Sequence, residues 1–165
     1  MLKVNDTVLY GTTGVCTVSN IEQKTIGKVT RQYYVLKPVS HSASTVYVPA
    51  DNEALLSKIR EVLSVEEIND ILQKLKSTED IWIENEEQRK QRFNEIILSG
   101  DRLGCLLIIK MLKNHQNELS EKGKRLHLAD ERLMKEAQRL IDDEFSFVLG
   151  KDLTEIPTFI KTAIK

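Results

Sequence analysis

The hydrophobic positions along the chain change their period near residue 50. Before that point, short runs of β-branched and aromatic residues alternate and are broken by glycine. Thr7-Val8-Leu9-Tyr10 precedes Gly11-Thr12-Thr13-Gly14, and residues 15–21 alternate with period two. Residues 23–26 read as a weaker strand, ended by Gly27, which can supply the positive φ of a turn. Residues 32–38 and 44–49 complete five short strands, the last two stopped by Pro38 and Pro49, which cannot donate to a ladder. So many short strands in so little chain predict a small, bent barrel of the SH3 or Tudor kind.

After residue 52 the period becomes helical. Ser64-Val65-Glu66-Glu67 is a capping-box signature, with Ile68, Ile71, Leu72 and Leu75 at helical spacing behind it. A second helix is expected after Thr78, running to about Leu98, which puts Trp82, the single tryptophan, in its first turn. Its ends are apolar and its middle, residues 84–92, is polar. Ser99-Gly100-Asp101 punctuates. A third helix carries Leu103, Leu106, Leu107, Ile109, Met111 and Leu112, and residues 120–123 form a polar connector. A fourth spans residues 129–149 and stops at Gly150, and a short one lies near residues 154–164. The fold class is therefore α+β, a small β-barrel over residues 1–52 followed by an all-α domain over residues 53–165.

Composition narrows the function. Twenty-four basic residues face 25 acidic ones, for a net charge of −1, which excludes a globally basic, histone-like binder. No apolar run approaches the ~18 residues of a membrane helix. The N-terminus lacks the apolar stretch of a signal peptide, so a cytoplasmic protein is expected. Cys16 and Cys105 sit in apolar settings and read as buried, reduced thiols. His41, His115 and His127 have no partner at metal-ligand spacing, and Gly11-Thr12-Thr13-Gly14 lacks the lysine of a phosphate loop. With no nucleophile motif either, the chain is expected to bind rather than catalyse, without cofactor or metal.

Three features are candidates for binding. Strand 44–49, with Tyr47 and the nearby Lys24, is a candidate open edge to which a partner can add a strand. Trp82 is flanked by acids, Glu79-Asp80 before it and Glu84, Glu86 and Glu87 after it. Residues 110–139 hold eight basic against five acidic residues, with Arg132, Lys135 and Arg139 on one helix face. Each also has a plain structural reading: an outward strand tyrosine, a core tryptophan, a solvated helix face.

Taken together, these residues resemble the CarD-like family of bacterial transcription regulators, whose barrel is also found in transcription-repair coupling factors. The resemblance is carried by residues 4–10, Gly14-Val15, Ile21-Glu22, residues 33–37 and residues 45–49. Arg60, the helix start at Ser64, Trp82, Ser99-Gly100-Asp101, Asp130-Glu131, Ala137 and Glu144 continue it to about residue 150. It implies a barrel that docks on the RNA polymerase β subunit through Lys24, Ile26 and Tyr47. It also implies a helical domain that reaches promoter DNA without reading sequence, with Trp82 wedged into the minor groove to hold the duplex open. Arg89, Lys90, Lys122, Lys124 and Arg125 are the expected phosphate contacts, and the protein is expected to be a monomer. Two departures stand out. Ile83-Glu84-Asn85-Glu86-Glu87 follows the tryptophan where DNA-binding relatives have arginines, and Tyr47 stands where some relatives have an arginine. Residues 53–165 hold 19 basic against 22 acidic residues. A competing expectation is an adaptor that binds polymerase or another protein and never touches DNA.

Overall fold

The computed structural model describes residues 1–40 and 44–165. His41, one of the histidines weighed above, lies outside the described residues. The chain divides into two units, Met1–Leu63 and Ser64–Lys165.

The first unit is a five-stranded antiparallel sheet: β1 (Thr7–Tyr10), β2 (Gly14–Ile26), β3 (Val29–Pro38), β4 (Val46–Pro49) and β5 (Ile59–Glu61). The order across the sheet is β4-β3-β2-β1-β5, so it does not close and β4 and β5 are its edges. Residues 15–21 and 23–26 are one strand, not two. The register shifts between Val18 and Asn20, and this bulge bends β2 without ending it. Ser19, within the bulge, donates its hydroxyl to the Val35 carbonyl at 3.2 Å. The inner face packs Val8, Cys16, Val18, Tyr34, Leu36 and Val48 into one core.

β5 was not expected from the sequence. It follows a one-turn helix, α1 (Glu53–Leu56), capped by the Asn52 side chain on the Leu55 amide. Leu55, Leu56 and Ile59 pack against the sheet core, and β5 pairs with β1. Residues 53–63 therefore group with the sheet, and the boundary lies at Leu63/Ser64 rather than at residue 52.

The second unit is helical: α2 (Val65–Ser77), α3 (Glu86–Ser99), α4 (Arg102–Glu121), α5 (Leu128–Leu149) and α6 (Ile156–Ala163). Ser64 and Glu67 form the reciprocal capping box that the sequence predicts. Gly100 ends α3 in the left-handed region and Asp101 caps α4 through the Gly104 amide, so these two residues reverse the chain. The largest departure is α3, which starts at Glu86 and not after Thr78. Asn85, whose side chain accepts from the Gln88 amide, is the better cap, and residues 78–85 form a loop instead of a first helical turn. Among the described residues, no helix is long and apolar enough to cross a membrane.

Candidate functional site

The loop before α3 carries Trp82, and one arginine organises it. On α3 the buried positions are Arg89, Phe93 and Ile97, spaced by four, so Arg89 continues the apolar stripe into the interior. On α5 the stripe Asp130, Leu133, Met134, Ala137 and Ile141 likewise begins with a charge. The two charges meet: Arg89 Nε and Nη2 donate to the two Asp130 carboxylate oxygens at 3.0 and 2.7 Å. Arg89 is 3% exposed and Asp130 1%. This two-pronged geometry is the strongest an arginine makes with a carboxylate. The remaining nitrogen, Nη1, donates to the Ile83 carbonyl at 2.9 Å and the Glu84 carbonyl at 3.3 Å. Those carbonyls have no helical partners because α3 starts later, and the guanidinium takes the place of the missing turn.

Trp82 lies against this anchor. The Arg89 guanidinium carbon is 4.6 Å from the indole centroid, within cation–π range. His115 of α4 stacks on Trp82 with ring centroids 4.3 Å apart and planes inclined by 31°. Trp82 is half-buried, neither core nor free, while its neighbour Ile81 is 79% exposed. Two contacts flank the loop: Lys110 Nζ of α4 pairs with Asp80 at 3.4 Å, and His127 Nδ1 lies 3.7 Å from Glu86 at the start of α3. Glu86 thus faces His127, where spacing alone pairs it with Lys90. The loop is held by Arg89 of α3, itself fixed by Asp130 of α5, and by His115 and Lys110 of α4.

The predicted phosphate contacts divide on this geometry. Arg89 is buried and committed to Asp130 and two carbonyls, so it is an internal anchor rather than a surface cation. Lys90 is its exposed neighbour on α3. Lys122, Lys124 and Arg125 are exposed in the α4–α5 connector, which is closed by bonds from the Gly123 and Lys124 amides to Ser120 and Leu119 carbonyls. The face of Arg132, Lys135 and Arg139 is largely neutralised within α5, Lys135 by Glu131 at 3.0 Å and Arg139 by Glu136 at 2.8 Å. Composition suggested a basic stripe there. The structure interleaves acids along it.

A second pair, with a buried carboxylate and a partly buried arginine, repeats the logic at the other end of α5. Arg102, at the start of α4, donates from Nε and Nη2 to the Glu144 oxygens at 3.0 and 2.9 Å. Among the described residues, no buried side-chain nitrogen or oxygen lacks a partner. Asp142, in contrast, is half-buried, and desolvation raises its carboxyl to about 6 even though Lys113 opposes the shift. Burial pushes the Cys105 thiol up to about 12, and both cysteines are buried thiols outside any disulfide.

In the sheet, β4 is an edge strand, the position expected for strand 44–49. Tyr47 on β4 is exposed, and Lys24 Nζ of β2 sits 3.5 Å above its ring centroid while also lying 3.5 Å from Glu22. Ile26, 68% exposed, pairs with Val29 at the tip of the β2–β3 hairpin. Opposed residues of antiparallel strands point to one face, so Lys24, Ile26 and Val29 share a side that is not the core side. Three of the expected contacts thus form one surface on the outer face and edge of the sheet.

Residues 2–61 match the family model described as the CarD-like/TRCF RID domain. The match begins ahead of β1 and ends with β5, so it covers the sheet unit and none of the helical one.

Proposed function

From a first unit that is a CarD-like/TRCF RID domain, the RNA-polymerase-interacting domain with its transcription-associated, polymerase-binding role, we propose that the protein regulates promoter opening from a polymerase-bound position. The sheet unit docks on the polymerase β subunit through the β4 edge, with Tyr47, Lys24 and the exposed Ile26 as contacts. The helical unit sets Trp82 against promoter DNA at the edge of the unwound region, and Lys90, Lys122, Lys124 and Arg125 contact phosphate. An apolar wedge at a base step costs a few kcal/mol of unstacking, which added contacts offset. A wedge that favours the melted state stabilises it without reading sequence. The protein acts by binding alone, as a monomer in the bacterial cytoplasm. The observation that carries the polymerase half is the domain match. What supports the DNA half is Trp82, held at the surface by Arg89 and His115 and not sunk in the core.

The acids around Trp82 and the burial of Arg89 favour a second reading, an adaptor that binds polymerase without touching DNA. Promoter opening, followed by a fluorescent base at the unwinding edge, separates the two. The intact protein is expected to raise the open fraction, and folded Trp82→Ala to leave it at the level of polymerase alone. If both proteins bind the β subunit and neither changes opening, the adaptor stands.

A further inference from the structure

A cavity of about 450 Å³ opens between α4, α5 and α6, within the size range of small-molecule sites. Its floor is apolar, made by Leu106 and Ile109 of α4 with Ile160 of α6 and Ile164 just after it. The neutral Asn114, Asn117, Gln138 and Thr158 belong to its polar rim, and its charged lining is mainly cationic, Lys110 and Lys113 from α4 and Lys161 from α6 against the single carboxylate of Asp142 on α5. These four are the charged groups that the packed helices present to it. An apolar floor beneath an excess of lysines fits one chemical class, a small molecule with an apolar body and an anionic head. Lys110 gives the cavity a second connection, because it is also the partner of Asp80, two residues before Trp82.

We propose that this cavity is a binding site for an anionic amphiphile, and that its occupation competes for Lys110 and so loosens the Trp82 loop. Apolar burial supplies most of the affinity and Lys113 and Lys161 select the sign of the head group. Asp142 opposes the anion while ionised, so binding strengthens as pH falls through about 6. The site stands independently of the DNA reading, since its primary readout is binding to the isolated protein.

Decanesulfonate, which stays ionised throughout, is the probe, used below its micelle concentration with decyltrimethylammonium as the cationic control. Calorimetry is expected to detect the sulfonate and not the cation. Lys113→Glu/Lys161→Glu, both on exposed positions, should weaken sulfonate binding roughly tenfold or more while the far-ultraviolet spectrum stays unchanged. Asp142→Asn should tighten binding at neutral pH and flatten its pH dependence. The fluorescence of Trp82 should change on saturation in the wild type and hardly at all in Lys110→Gln. Phosphatidylglycerol vesicles form the second arm: sedimentation that depends on Lys113 and Lys161 assigns the head group to a membrane lipid, and its absence beside sulfonate binding assigns it to a free amphiphile. Equal binding of both detergent charges, no binding of either, or full affinity in the double-lysine variant overturns the proposal.

Discussion

Arg89 shows how burial and partners redirect an expectation raised by charge alone. An arginine beside a lysine, seven residues after a tryptophan that is a candidate DNA wedge, invites a phosphate-binding reading. Its helical phase says otherwise, because it stands four residues before Phe93 and eight before Ile97 in the buried stripe. Removing it strands the Asp130 carboxylate in the interior, and breaking such a pair costs about 3–5 kcal/mol. Arg89→Ala is therefore expected to lower the urea midpoint of the helical unit sharply. Arg89→Met with Asp130→Leu removes both charges and should regain most of that stability. The loop, however, stays without its anchor in the double variant. Acrylamide should then quench Trp82, the sole tryptophan, more efficiently than in the wild type, which separates a loop-positioning role from simple stabilisation.

At the scale of elements, the turn between α3 and α4 is packed to its limit. A Cβ on Gly104 would meet Ile96 Cγ2 at 2.5 Å and the capping carboxylate of Asp101 at 2.9 Å. Gly104→Ala forces these helices apart and is expected to cost about 1–3 kcal/mol, as overpacking does, measured by chemical denaturation. The small gain in helix propensity does not offset it. Ser64→Ala removes one half of the capping box at α2 and should cost about 1 kcal/mol. Elements like α2, with its box and its apolar spacing, are legible from sequence because their signals are local. Gly100 and Gly150 are legible for the same reason, each ending a helix with positive φ. The sequence places the start of α3 too early because Ile81-Trp82-Ile83 resembles a helix's apolar face, while the restraint that keeps it a loop comes from Arg89 of α3 and from His115 and Lys110 of α4. β5 escaped notice because three residues carry no period, and their pairing with β1 bridges some fifty residues of chain. In the candidate site, Lys24, Ile26 and Tyr47 could be singled out by resemblance, whereas the contacts of Trp82 with Arg89 and His115 exist only in three dimensions.

At the scale of the whole molecule, two tests bear on charge. If the helical unit meets phosphates, affinity for promoter DNA falls with salt, with a log–log slope near −0.9 for each phosphate neutralised. Four exposed cations are proposed here, Lys90, Lys122, Lys124 and Arg125, and removing any one should reduce that slope by about one. A flat salt profile excludes the DNA contact. The second test is stability against pH. The Asp142 carboxyl is raised to about 6 in the folded state from a reference of 3.8. Between those values the folded protein holds a proton that the unfolded chain has lost, so this group's contribution to stability falls as pH rises towards 6 and is level above it. Asp142→Asn lacks that slope, so the stability difference between wild type and variant should fall as pH rises from about 4 to about 6 and be level above it. Arg89 and Asp130 lie 41 positions apart in the chain, and that separation has a consequence for descent. Neither residue can drift alone without leaving a buried charge, so lineages should keep both or lose both. A relative that retains the tryptophan but lacks the pair has inherited the side chain without the means of presenting it, and its single letter is then a poor guide to what it does.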